Sequence, residues 1–124
     1  MRINTFDETY QTAPVRNGVK QISYGQFLKI KHSGERYTLL DVLPEESYKS
    51  GHIESAASFP VDTIAKENAE KRLHKDSKII VYCASFDCHA STIAAKKLAD
   101  LGYNVLDYKG GLKEWQEKGN KLVK

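Results

Sequence analysis

The feature that most constrains the fold is a strand-like run, SKIIVYC at residues 77–83, that leads through a short loop into a helix-like segment. The run is almost continuous in apolar and β-branched residues, which predicts a strand covered on both faces. Apolar residues recur at helical spacing over residues 91–101, and Gly102 stands where a helix-ending glycine is expected. A buried strand followed by an amphipathic helix favours an α/β domain with a mostly parallel sheet.

The rest of the chain continues this alternation of strands and helices. The further predicted elements are strands over residues 37–42, 53–59 and 104–108, and helices over residues 23–33, 45–50, 61–74 and 112–118. Ser23 is the predicted cap of the first helix. Residues 1–20 show no sustained period, so we predict an N-terminal extension packed on or near a single domain over residues 21–124.

Composition bounds the class of protein. With 124 residues and 40% hydrophobic side chains, the chain is long enough for one core. No apolar run approaches the roughly 20 residues that cross a bilayer, and the N-terminus lacks the pattern of a secretory leader, so we expect a soluble, cytoplasmic protein without a membrane partner. The 19 basic and 16 acidic residues are scattered along the sequence, which makes nucleic acid an unexpected partner.

The loop after the central predicted strand is the candidate site. The stretch VYCASFDCHAS, residues 81–91, holds both cysteines, and Cys83 falls at the carboxyl end of a strand, where parallel sheets place their ligands. Backbone N–H groups and a helix N-terminus there are expected to lower the pKa of the Cys83 thiol and make it nucleophilic. The alternatives are that Cys83 is a small buried core residue, or that Cys83 and Cys88 form a disulfide. A zinc site is not expected, because no second ligand pair lies at matching spacing.

Several ordered motifs identify a resemblance to the single-domain rhodanese (sulfurtransferase) family. They are LLDVLPEESYKSGHIESAASFP at residues 39–60, VYC at 81–83, STIAAKKLADLGYNV at 91–105 and KGGLKEW at 109–115. The resemblance implies a three-layer α/β fold with a central, mostly parallel five-stranded sheet flanked by helices. It also implies that Cys83 takes sulfane sulfur from a small sulfur-containing donor as a persulfide and passes it to a thiol or protein acceptor. No metal or organic cofactor is implied.

The active loop departs from the family pattern, in which the sequence is usually Cys-x-x-Gly-x-Arg followed by Ser. The residues predicted to line the substrate-binding loop here are Ala84, Ser85, Phe86, Asp87, His89, Ala90 and Ser91, together with Cys88. Ala90 stands in place of the arginine and Asp87 adds negative charge, so a doubly anionic donor such as thiosulfate is expected to bind less well. Within the loop, only His89 can become cationic. Leu43 stands where a second arginine is common.

Other readings remain open at this point. Cys88 is a candidate resolving thiol that attacks a Cys83 persulfide or sulfenic acid, which would make the protein a persulfide reductase or redox protein. The missing arginine also fits a non-catalytic rhodanese module that binds a partner. Ser91 is predicted to cap the following helix. Asp41 and His52 are predicted to tie loops to the sheet by hydrogen bonds. The sequence leaves the oligomeric state open.

Overall fold

A single parallel sheet organises the chain, and the computed structural model describes residues 19–124 of it. The strands are β1 (Val19–Ile22), β2 (Tyr37–Asp41), β3 (Ala57–Ser58), β4 (Lys78–Tyr82) and β5 (Asn104–Tyr108). Their order across the sheet is β1-β5-β4-β2-β3, and every neighbouring pair is parallel. The predicted five-stranded α/β fold is therefore confirmed. The first 18 residues of the predicted N-terminal extension lie outside the described residues.

The central strand β4 explains why the sequence signal is strongest there. It pairs with β2 on one side and with β5 on the other, and Ile79 to Tyr82 are fully buried. A strand covered on both faces has no polar side to show, so its apolar residues run without alternation. In the register between β4 and β5, Val81 lies opposite Asp107. Cys83 follows directly at the carboxyl end of β4.

Helices cover both faces of the sheet. They are α1 (Tyr24–Ser33), α2 (Glu45–Ser50), α3 (Lys66–Arg72), α4 (Ala90–Asp100) and α5 (Gly111–Glu117), with a 3₁₀ turn at Val61–Thr63. The predicted cap of α1 is confirmed: Ser23 Oγ accepts a hydrogen bond from the Gln26 N–H at 3.1 Å, and Gln26 Oε1 accepts one from the Ser23 N–H at 2.8 Å. This reciprocal capping box satisfies two N–H groups that the helix cannot bond itself.

Two apolar clusters, one on each face of the sheet, form the core. The first holds Val81 and Cys83 with Ala94, Ala95 and Leu98 of α4. The largest residues of the second cluster are Phe27 of α1, Tyr82, Tyr108 and Trp115 of α5. The ring centroids of Phe27 and Trp115 lie 5.5 Å apart, so α1 and α5 pack together through aromatic contacts. Cys83 thus belongs to the α4 side of the sheet.

Three details differ from the predicted elements. The strand expected over residues 53–59 is reduced to Ala57–Ser58, because the preceding backbone turns at Ser55, which has φ of 76°. The helix expected over residues 61–74 is interrupted at Ile64, whose backbone is extended, and α3 starts after it. The strand Val19–Ile22 was not predicted, since four residues are too short to show a period.

Candidate active site

Cys83 lies where the carboxyl end of β4 meets the N-terminus of α4. Its side chain is fully buried, and its Sγ accepts a hydrogen bond from the Ser91 N–H at 3.4 Å. The thiol is also 3.6 Å from the Cys88 carbonyl oxygen, to which it can donate. The connection from β4 to α4, residues 84–89, therefore curls back over the thiol, and we call it the Cys83 loop.

Burial changes the acidity that was predicted for Cys83. Loss of water contact raises the pKa of the Cys83 thiol, and the hydrogen bond that it shares with Cys88 raises it further. The Ser91 side chain and N–H act in the opposite direction without cancelling these effects. The expectation of a lowered pKa at Cys83 is thus wrong, because desolvation of the buried thiol outweighs the hydrogen bonds from Ser91 at the start of α4.

Cys88 is the more acidic thiol of the two. It is half-buried, and although burial alone raises its pKa, the net pKa lies below the ordinary value. The opposing causes are the hydrogen bond from Cys83, the N–H groups of Ala84 and Ala90, and the positive charge of Lys109. Both cysteines are free thiols. The N–H of Ala84 in the loop and that of Ala90 at the start of α4 therefore act on Cys88, whereas Cys83 receives the N–H of Ser91.

Lys109 is a functional residue that reasoning from the sequence missed. Its Nζ donates a hydrogen bond to the Cys88 carbonyl oxygen at 2.6 Å and another to Thr92 Oγ1 at 3.1 Å. Lys109 comes from the turn after β5, which the parallel pairing of β4 and β5 brings beside the Cys83 loop. The site thus has a cation from outside the loop, although Ala90 replaces the arginine of the family pattern.

The glycine pair at the start of α5, Gly110 and Gly111, fixes the base of the Cys83 loop. The Leu112 N–H donates to the Cys83 carbonyl at 3.0 Å, and the Lys113 N–H donates to the Ala84 carbonyl at 2.8 Å. Gly111 has φ of +61°, and a Cβ at this position would overlap the Cys83 carbonyl oxygen. A residue with a side chain would therefore separate α5 from the loop.

Three of the other predicted loop residues, Ser85, Phe86 and Asp87, line an acidic opening. Ala84, Phe86, Asp87 and His89 are exposed, while Ser85 and Ala90 are half-buried. A cleft of about 160 Å³ lies between the loop and α5. Its lining residues are Ser85, Phe86, Asp87, Gly110, Lys113, Glu114 and Glu117. Three carboxylates against one ammonium make this opening unfavourable for a doubly charged anion.

Ser91 has a different role from the predicted one. The helix α4 begins one residue earlier, with His89 at the cap position, so the prediction of Ser91 as N-cap is wrong. Ser91 is instead fully buried, and its side chain lowers the pKa of both Cys83 and Asp107. Ser91 Oγ and Asp107 Oδ1 nevertheless have no aligned hydrogen-bond partner among residues 19–124.

Asp107 is the second residue that was missed. It lies opposite Val81 in the sheet and is 1% exposed, at the end of β5 that adjoins the N-terminus of α4. Burial raises the pKa of its carboxyl, while Ser91 and Lys109 lower it in part. A sequence signal existed, because an aspartate at the end of a predicted buried strand is expected beside the end of a neighbouring parallel strand.

Asp41 and His52 are engaged in hydrogen bonds that hold loops. Asp41 Oδ2 accepts from the Tyr82 hydroxyl at 2.8 Å, and the same hydroxyl accepts from the Ile53 N–H at 3.0 Å. His52 Nδ1 lies 2.8 Å from the Tyr48 carbonyl, and its ring stacks on the Tyr48 ring at 3.8 Å. These contacts agree with the tying role predicted for both residues.

Residues 19–124 contain neither a grouped set of metal ligands nor a membrane-spanning helix. Within that range, no three His, Cys, Asp or Glu side chains are grouped so that they could hold a metal ion. No helix in the same range is long and apolar enough to span a membrane.

Comparisons with known proteins agree on one family. The family model for the rhodanese-like domain matches residues 23–118 of the sequence. A solved structure of a Bacillus halodurans protein superimposes with a TM-score of 0.76 at 33% identity, over 83% of this chain and 75% of that one.

Two curated relatives carry different names. The HTH-type transcriptional regulator Rv0324 of Mycobacterium tuberculosis is 34% identical over 79% of this chain, which spans only 42% of the length of that regulator. A Schizosaccharomyces pombe protein, provisionally named a mitochondrial thiosulfate sulfurtransferase, is 30% identical over 81% of this chain and 82% of its own length. The same domain thus occurs in proteins named for regulation and for sulfur transfer.

Proposed function

The chain belongs to the rhodanese-like domain family, and on that premise we propose that it is a sulfurtransferase that carries sulfane sulfur as a persulfide on Cys83. The observation that carries the proposal is the position of Cys83 Sγ, at the carboxyl end of β4 and bonded to the Ser91 N–H at the start of α4. This N–H and the positive end of α4 stabilise an anionic sulfur. The sulfurtransferase name of a relative that matches over most of its length is further support.

The transfer takes place in two displacement steps. The Cys83 thiolate attacks the sulfane sulfur of the donor, the new S–S bond forms at Sγ, and the donor leaves with the electron pair of the broken bond. An acceptor thiolate then attacks the outer sulfur, the bond to Sγ breaks, and the Cys83 thiolate returns. Because burial raises the pKa of Cys83, the rate of sulfur uptake is expected to increase with pH up to that pKa.

The charge around the opening favours a singly charged donor. Asp87, Glu114 and Glu117 line the cleft beside the loop, so a dianion meets more repulsion there than a monoanion. We therefore expect a small alkyl persulfide to load Cys83 faster than thiosulfate does, and the difference to narrow at high salt.

The test compares the parent chain with the two cysteine variants after incubation with the same persulfide donor. Intact-protein mass spectrometry after incubation with an alkyl persulfide is expected to show one added sulfur on Cys88→Ser but none on Cys83→Ser. The parent chain is expected to show either the added sulfur or, where Cys88 has displaced that sulfur, a Cys83–Cys88 disulfide. Equal uptake by Cys83→Ser would refute the Cys83 persulfide. No uptake by any of the three proteins would favour a binding module without sulfur transfer.

A second candidate function, persulfide reduction, is favoured by the second thiol. The Cys88 carbonyl oxygen lies 3.6 Å from Cys83 Sγ, and the pKa of the Cys88 thiol is lowered. Its thiolate can attack Cys83 Sγ, so that a Cys83–Cys88 disulfide forms, the bond to the outer sulfur breaks and the outer sulfur leaves as hydrosulfide. The two thiols are oxidised and the sulfane sulfur is reduced, and an external thiol must then reduce the disulfide.

Single-turnover chemistry separates the two candidates. If Cys88 resolves the persulfide, the loaded parent chain releases one hydrosulfide per protein and loses both free thiols, whereas Cys88→Ser keeps its persulfide. A parent persulfide that lasts as long as that of Cys88→Ser would leave simple sulfur transfer as the function.

A further inference from the structure

Lys109 connects the turn after β5 to the Cys83 loop. Its ammonium bonds the carbonyl of Cys88 and the hydroxyl of Thr92, at 2.6 and 3.1 Å. The same Cys88 carbonyl lies 3.6 Å from Cys83 Sγ. A single carbonyl group is therefore shared by the Lys109 ammonium and the Cys83 thiol, which fixes the backbone of Cys88 relative to both.

The charges around Cys88 come from several elements. Cys83 faces it from the end of β4 and Lys109 from the turn after β5, while Asp87 and His89 flank it in the loop. Asp107, at the end of β5, faces Lys109 rather than Cys88. The positive charge that acts directly on Cys88 is that of Lys109, and it stands where no loop arginine is present.

We propose that Lys109 is a positioning residue that holds the Cys88 backbone and favours the Cys88 thiolate beside Cys83, so that Cys88 is the first nucleophile to meet a Cys83 persulfide. The proposal rests on the proposed function, since the persulfide on Cys83 is its substrate. The ammonium acts in two ways: its hydrogen bond to the carbonyl restrains the loop, and its charge stabilises a neighbouring anion. An external thiol would then reduce the resulting disulfide instead of attacking the persulfide itself.

The first experiment measures the reactivity of the Cys88 thiol in the absence of sulfur transfer. In a Cys83→Ser background, the rate at which iodoacetamide alkylates Cys88 is followed against pH for Lys109→Gln, Lys109→Arg and the control Lys96→Gln. Lys96 is an exposed lysine of α4, and its ammonium pairs with Asp100 at 3.1 Å. We expect Lys109→Gln to be alkylated about three- to tenfold more slowly at pH 7, with its midpoint moved to higher pH. Lys109→Arg and Lys96→Gln should follow the Cys83→Ser parent.

The second experiment measures hydrosulfide release, which reports the attack of Cys88 on the Cys83 persulfide, in the chain that has both cysteines. After loading with an alkyl persulfide, hydrosulfide release from Lys109→Gln is expected to slow by a similar factor, while release from Lys96→Gln is unchanged. Equal alkylation profiles for Lys109→Gln and Lys96→Gln would overturn the role of Lys109, whatever happens to the persulfide.

The two proposals fail in different ways. If Cys88→Ser never takes up sulfur, the proposed function is lost and the alkylation profile still decides whether Lys109 activates Cys88. If Lys109→Gln does not fold, salt replaces the substitution, because screening weakens the effect of an ammonium on a half-buried thiol. Added sodium chloride should then slow alkylation of Cys88 at pH 7 by the neutral reagent, and an unchanged rate would count against the proposal.

Discussion

The carboxyl ends of β2 and β4 are adjacent in the sheet, yet they are held in different ways. At β2, both oxygens of Asp41 are satisfied, one by the Tyr82 hydroxyl at 2.8 Å and the other by the Leu43 N–H at 3.0 Å. At β4, Ser91 Oγ and Asp107 Oδ1 are buried without an aligned partner among residues 19–124. A fully bonded network fixes a loop. Polar atoms without partners beside a thiol can instead form hydrogen bonds when the charge of the sulfur changes during a reaction.

The largest effect on this comparison is expected from Gly111→Ala, which would break the link between the loop and α5. The added Cβ would overlap the Cys83 carbonyl, and φ of +61° already disfavours alanine. We expect a loss of about 3 kcal/mol or more in the free energy of unfolding, measured by urea denaturation.

The matched control for Gly111 is Gly119→Ala. Gly119 has φ of +93°, but a Cβ there meets nothing within 4 Å. Its cost should be that of backbone conformation alone, about 1 kcal/mol. If both substitutions cost the same, the contact between Gly111 and the Cys83 carbonyl does not hold the loop.

The next effect in size is expected from Tyr82→Phe, which removes the hydroxyl that joins Asp41 to Ile53. The buried Asp41 carboxyl then loses a donor and the Ile53 N–H loses an acceptor, so unfolding should become easier by about 1–3 kcal/mol in the same urea assay. Tyr103→Phe is the control, since no hydrogen bond of its hydroxyl is found among residues 19–124. A loss no larger than that of Tyr103→Phe would show that the β2 end is not held by this hydroxyl.

The difference between the two strand ends also explains what the sequence could predict. The elements α1, β4 and β5 and the position of Cys83 follow from local patterns: a cap, continuous apolar runs and a strand-to-helix junction. Lys109 and the low pKa of Cys88 depend on which strand lies beside β4, and nothing within the loop sequence reports that pairing. The raised pKa of Cys83 depends on burial depth, which a motif does not specify either.

A smaller effect, dependent on pH, is expected from Asp107→Asn. Burial raises the pKa of Asp107 in the folded chain above the unfolded value of about 3.9. The contribution of this carboxyl to stability is therefore fully present below pH about 4 and is lost as the pH rises through the folded pKa. Asparagine does not titrate. The free energy of unfolding of Asp107→Asn, relative to that of the parent, should therefore increase as the pH rises from 4 and become constant above the folded pKa of Asp107.

The control for Asp107 is the exposed Asp62→Asn, which removes one carboxyl group from the surface and so measures the effect of the lost charge alone. Asp41 also has a raised pKa, but it is present in all three proteins and cancels in the differences. Thermal unfolding at several pH values measures the effect. Parallel pH profiles for the parent and Asp107→Asn would mean that burial does not raise the pKa of Asp107 in the folded chain.

The smallest effect on stability is expected from Phe86→Ala, in the exposed part of the Cys83 loop. Phe86 is 62% exposed, whereas Phe59, in the core beside β3, is 1% exposed. Truncation of Phe86 should change the free energy of unfolding by no more than about 0.5 kcal/mol, against a loss of about 3–5 kcal/mol for Phe59→Ala. If urea denaturation gives similar losses for both, the loop packs as part of the core. A near-zero loss for Phe86 would instead mean that the ring can be varied to change donor or acceptor preference without cost to the fold.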